Sequence, residues 1–180
     1  MQGRQSGDTI VEVLIATAVL AMAVVGGLGV MNFGFGVILN AIERTQVQAS
    51  VNTQLSLIQH ARDSYIRADR DGTKALGKPW QDIMDGAKDT YANNVCKNAG
   101  EPDTSLSVNP FYMSETDATY AGGMPVVAPS VPRAGTGLWV EAVRLTPTTN
   151  YIDFYVKACW LPSAGTGNQE SRSAMRLYVP

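Results

Sequence analysis

Thirty consecutive positions, Val13 to Ile42, carry no charge, and large apolar residues fill most of them. About 20 helical residues at 1.5 Å each cross a hydrocarbon core, so this run is long enough to span one. After Asn40 the pattern changes. Val47, Val51, Leu55, Ile58 and Tyr65 fall close to i, i+4, i+8, i+11 and i+18, and Gln and Asn fill the other faces. That spacing predicts an amphipathic helix. The first proline is Pro79, so nothing breaks the chain before Asp71-Gly72. The two patterns therefore predict one helix over about residues 9–68, roughly 90 Å long. Residues 8–40 form its apolar half, and residues 41–70 continue it across a globular head.

Trp80, Ile83, Met84, Ala87, Tyr91 and Val95 recur at helical spacing behind Pro79, which suits a first turn. They predict a second helix over 79–97. Residues 98–137 are rich in Pro, Gly, Ser and Thr and read as a long loop, with one short strand near Val126-Val127. The clearest β signal follows over 138–179. "GLWVEAVRLTP", "NYIDFYVKACWLP" and "SAMRLYVP" are β-branched and aromatic runs separated by turn-forming stretches. They predict three antiparallel strands in a meander. In the second run Ile152, Phe154, Val156 and Ala158 share one face, while Tyr151, Asp153, Tyr155, Lys157 and Cys159 share the other. A sheet with one apolar face covers the helix stripe. The fold class is α+β: a lollipop with a long N-terminal helix packed on a small antiparallel sheet head.

Composition changes this picture little. The formal charge of −2 over 180 residues gives no support for gripping nucleic acid by its phosphates. Cys96 and Cys159 stand far from the apolar run, with no C-x-x-C and a single histidine, so zinc and thioredoxin-like readings are poor. The two cysteines are read as one disulfide that ties the second helix to the sheet, with two buried free thiols as the alternative. Closing a loop of about 60 residues stabilises by roughly 4 kcal/mol in the chain-entropy picture.

The apolar run holds one acid near its start, Glu12. A cleaved secretory signal fits Arg4 and Ala21-Met22-Ala23, but the run continues well past Ala23. A plain membrane anchor leaves Glu12 without a purpose, at a cost of about 2.5–3.5 kcal/mol at mid-bilayer and less near the interface. Cleavage between Gly7 and Asp8 supplies a role: the new amine, with a pKa near 8, can sit beside Glu12 of a parallel, staggered copy. At an effective dielectric of 20, charges 4 Å apart gain about 4 kcal/mol. Burial offsets much of that, so the pair chiefly sets register.

"GDTIVEVLIA", residues 7–16, resembles the processing site of type IV prepilins through Gly7, Thr9, Ile10, Val11, Glu12, Val13, Leu14, Ile15 and Ala16. The resemblance implies a leader, Met1–Gly7, removed by a membrane prepilin peptidase, and a mature chain beginning at Asp8 with Glu12 fifth. It departs at Asp8, where the family usually has phenylalanine, and this leaves N-methylation of that residue open. The implied function is a major or minor pilin of a type IV pilus or related filament. Its implied partners are other pilin subunits, the peptidase, membrane lipid before assembly and, indirectly, a platform protein and an assembly ATPase. The implied location is a single-pass membrane precursor, then a cell-surface filament. Readings kept beside it are a pseudopilin of a secretion or DNA-uptake machine and an anchored binding domain without a filament.

Gly26, Gly27, Gly29, Gly34 and Gly36 interrupt the run without any four-residue spacing, so the close-packing G-x-x-x-G pattern is absent. A local weak point in the helix and the ordinary abundance of glycine in membrane helices both account for them. Asp82, Asp85 and Asp89 read as a solvated face. Around Gly72, Arg67 and Lys78 occupy positions where a calcium loop needs acids. His60 has no paired nucleophile or second ligand in the sequence pattern, and no hydrolase, nucleotide-binding or metalloprotease motif occurs. The expectation is a non-enzyme with no cofactor and no metal.

Overall fold

The computed structural model describes residues 8–72, 77–90, 96, 110–122, 137–146, 148–163 and 167–179. It has the α+β lollipop architecture. Helix α1 runs unbroken over Asp8–Asp71, 64 residues, or about 96 Å. It stays continuous through every glycine between Gly26 and Gly36. Its hydroxyl side chains bond back to their own helix. Thr17 donates to the Val13 carbonyl at 3.0 Å, and Thr45, Thr53 and Ser56 donate to Ala41, Ala49 and Asn52. Such back-bonding lets Thr17 lie in an apolar stretch without an outside partner. The helix stops at Gly72, whose φ of +70° is the left-handed conformation glycine adopts freely.

Helix α2 spans Lys78–Gly86 with Pro79 in its first turn. Here the structure corrects the sequence reading, because the predicted helix over 79–97 ends at Gly86. Ala87 turns extended, and the next residue is captured by the sheet. The Lys88 N–H donates to the Ala142 carbonyl at 3.1 Å, and the Arg144 N–H donates to the Lys88 carbonyl at 2.7 Å. Those two bonds replace what further helical turns would offer. Tyr91 and Val95 lie outside the described residues.

Among the described residues the sheet has five antiparallel strands in the order β2-β1-β3-β4-β5. Strands β3 (Gly137–Val143), β4 (Tyr151–Trp160) and β5 (Gln169–Tyr178) form the meander expected from the C-terminal pattern. Strands β1 (Phe111–Met113) and β2 (Tyr120–Gly122) are a second correction, since they fall inside the predicted loop 98–137. The strand expected near Val126-Val127 lies outside the described residues.

One core closes between α1, α2 and the inner face of the sheet. Val47, Val51 and Ile58 of the predicted stripe are almost wholly buried against Trp80, Ile83, Val140, Phe154 and Val156, while Leu55 and Tyr65 pack at its margin. Complete burial of each such side chain contributes about 1.5–3 kcal/mol. A polar residue stands among them. Gln54 donates from Nε2 to the Met113 carbonyl at 2.9 Å and accepts from the Met113 N–H at 2.8 Å. Its amide thus pairs with β1 as a neighbouring strand would, and β1 needs this because its pairing with β3 is confined to Phe111 and Val140. Gln54→Ala leaves both Met113 groups buried and unpaired, and should lower stability by about 1–3 kcal/mol. Guanidinium denaturation in detergent, followed by tryptophan fluorescence, checks this; an unchanged midpoint contradicts it.

Candidate functional site

The head buries most of its described large apolar residues, with Leu145, Leu161 and Tyr178 exposed, and the first half of α1 buries none of its large ones. Nineteen large apolar side chains between Ile10 and Ile42 are each 47–76% exposed. At roughly 100 Å² apiece they present on the order of 2,000 Å², against about 300–600 Å² for the largest patch on an ordinary monomer. The exposure runs all round the helix. By length and composition α1 can cross a membrane, and its backbone hydrogen bonds are satisfied within the segment, as a spanning element requires.

Of the predicted site residues, Gly7 and the rest of the leader lie outside the described residues. Asp8 begins α1. Glu12 follows one turn later on the exposed helix, with no hydrogen-bond or ion-pair partner among the described residues. Carboxylates near a helix N-terminus are favoured by the macrodipole, and that is the only compensation found among the described residues. Glu12 is therefore an acid at the mouth of an apolar rod, available to a cation from elsewhere.

At the other end of the bare segment Glu43 is the first charge after Glu12. Its carboxylate accepts from the Ser163 N–H at 3.0 and 3.1 Å and from the Ser163 hydroxyl. This contact clamps the β4–β5 connection to α1 where the head begins. Gln48–Ser171 and Arg62 to the Tyr178 carbonyl continue the attachment along the helix.

Cys96 and Cys159 are paired as a disulfide, with Cα atoms 5.7 Å apart. The bond lies on the face of the sheet turned away from α1, and it ties the chain at residue 96, beyond the true end of α2, to β4. The same face holds a constellation of which the sequence reading placed only Lys157. Lys157 and Glu141 are each 1% exposed. Lys157 Nζ donates to both Glu141 oxygens at 3.0 Å, and Trp139 Nε1 donates to Glu141 Oε1 at 3.0 Å. Alternation put Lys157 on this outer face, but only the fold shows that the face is covered. The available signal was an acid within the otherwise apolar strand "GLWVEAV", next to a strand carrying a lysine.

His60 lies in an open cleft with Ser64, Arg67, Asp71, Pro79, Asp117 and Thr119. Hydrogen bonds from the Ser114 side chain, then from Thr119, hold the Asp117 carboxyl below its usual range. Among the described residues His60 and Ser64 are not hydrogen-bonded to each other, and no three metal-ligating side chains gather. Asp82 forms an exposed i,i+4 pair with Lys78 at 2.7 Å. No protein family, curated protein or solved structure matches the chain.

The buried pair yields a paired prediction. Lys157→Met alone strands a charged Glu141 and should destabilise the head by about 3–5 kcal/mol, whereas Glu141→Leu with Lys157→Met should recover most of that loss. Chemical denaturation of both variants distinguishes them; equal destabilisation by the single and the double contradicts the reading. Reducing Cys96–Cys159 should cost roughly 4 kcal/mol in the same assay, and no change on reduction would rule out the staple.

Proposed function

We propose that the chain is a structural subunit of a type IV pilus or a related filament. It is made as a membrane-anchored precursor and assembled through packing of its N-terminal helix. The observation that carries this reading is the wholly uncovered apolar half of α1, headed by a lone acid and attached to a head whose own core is closed. One partner in a standard interface covers about 800 Å² per side. The bare segment exposes more than twice that, all round, so it needs either lipid or several neighbours. A precursor has the first, and a subunit inside a bundle of like helices has the second. Moving between them exchanges one apolar surrounding for another, so no large hydrophobic gain drives the step, and polar terms decide the register.

Glu12 supplies the polar term. Cleavage after Gly7 places an ammonium at Asp8, and a parallel copy shifted along the axis brings that ammonium to Glu12. Among alternative geometries, those that leave the acid unpaired in an apolar core are rejected. The head contributes surface rather than chemistry, and the chain is not an enzyme on this reading. A pseudopilin of a secretion or DNA-uptake machine shares the same logic of assembly. An anchored binding domain uses the same helix but gives Glu12 nothing to do.

The N-terminus of the protein recovered from cells should begin at Asp8 by mass spectrometry. Glu12→Ala should leave membrane insertion at or above the native level yet reduce incorporation into filaments about tenfold or more, one factor of ten being 1.4 kcal/mol. A retained leader, or undiminished incorporation of the variant, would overturn the assembly role.

A further inference from the structure

The charge-free interval of α1 is longer than a hydrocarbon core requires. Such a core is about 30 Å thick, whereas about 47 Å of helix separates Glu12 from Glu43 at 1.5 Å per residue. With its headgroup layers included, a bilayer measures about 40–45 Å. A helix tilted by about 20°, the average for spanning helices, projects the interval onto roughly 44 Å. The two acids therefore fall at the two outer rims of a whole bilayer. Fitting the interval into hydrocarbon alone demands a tilt of about 50°, beyond the range of about 0–40°. At the rim marked by Glu43 stands the base of the head. The Ser163 N–H donates to Glu43 at 3.0 and 3.1 Å, Ser171 donates to Gln48 at 2.9 Å, and Arg62 donates to the Tyr178 carbonyl at 2.9 Å. Strand β5 thus climbs alongside α1, and the β4–β5 connection is the end of the sheet nearest the bare segment.

We infer that the base of the head is a second membrane contact, in which Leu161 enters the headgroup layer and Arg44 meets the lipid phosphates; this rests on the membrane-anchored precursor of the filament reading. Leu161 lies two residues before Ser163 and is 42% exposed. On the helix just below, Leu39 and Ile42 are 47% and 48% exposed, so the head continues the apolar surface of α1 at its own base. Arg44 follows Glu43 directly, is exposed, and has no ion-pair partner among the described residues. A guanidinium offers two parallel hydrogen bonds to a phosphate, and its aliphatic stem lies readily on apolar surface. Lipid is the occupant because the length of the helix carries this part of the head to the headgroups and no farther. A head standing clear of the bilayer would leave Leu39, Ile42 and Leu161 in water together. The contact adds a foothold on the head to the anchor that α1 supplies.

Leu145 is a matched control. It is 56% exposed and lies just before β4, where Leu161 lies just after it, so the strand holds the two leucines roughly 30 Å apart. The full-length protein carries a fluorescent amino acid in place of Leu161, Leu145 or Leu20, which leaves the native cysteines untouched. Each form is reconstituted in vesicles of phosphatidylcholine and phosphatidylglycerol that contain lipids with a nitroxide on the headgroup or in mid-chain. The headgroup nitroxide should quench position 161 about threefold or more above position 145, given their separation along the strand. The mid-chain nitroxide should quench position 20. Equal quenching at 161 and 145, with position 20 quenched from mid-chain, overturns the foothold and leaves the anchor standing. An unquenched position 20 overturns the membrane-anchored precursor and the foothold with it.

Discussion

Coverage is the constraint on which everything else depends. A helix can satisfy its own backbone, and the back-bonded Thr17 shows it satisfying its hydroxyls as well. What it cannot do alone is remove some 2,000 Å² of apolar side chain from water. The head offers no help, because its attachment starts at Glu43 and proceeds away from the bare segment. On the filament reading lipid or other chains do the covering, and Glu12 makes the choice between them sensitive to charge.

On the filament reading this segment changes surroundings, and the head's own core is closed without it. Its core closes between the second half of α1, α2 and the sheet, and its weakest element, the three-residue strand β1, is held by the amide of Gln54 rather than by a long ladder. On the far face the Cys96–Cys159 bond ties residue 96 to β4, and the Lys157–Glu141 pair joins β4 to β3. Buried ion pairs add little net stability against apolar replacements, but they penalise misregistered arrangements. The molecule thus joins a head with a closed core to a helix segment whose large apolar side chains are exposed.

Much of this was legible in the residues because it rests on periodicity. The extent of α1 followed from the absence of proline and the stop at Gly72, and the buried stripe from Val47, Val51 and Ile58. The meander followed from three β-branched runs, and the disulfide from two cysteines in a chain lacking metal motifs. The misses are non-local. Strands β1 and β2 are too short to carry a period, and β1 exists because a glutamine 59 residues earlier reaches it. The end of α2 was set by backbone bonds from Lys88 to β3, which no local pattern announces. Alternation put Lys157 on the outer face of the sheet, but alternation tells the side and not what covers that side. The attachment of Glu43 to Ser163 joins residues 120 apart and was equally out of reach.

The measurement that bears most directly on coverage is the environment of a mid-segment side chain before and after assembly. Leu20 is 64% exposed in the isolated chain, so a nitroxide placed there reports what surrounds it. In membranes it should relax readily with lipid-soluble oxygen; in polymer it should lose that access and show dipolar coupling to labels on other copies. A label that stays oxygen-accessible and uncoupled in every fraction from cells would contradict the claim that other copies of the chain replace lipid around this helix.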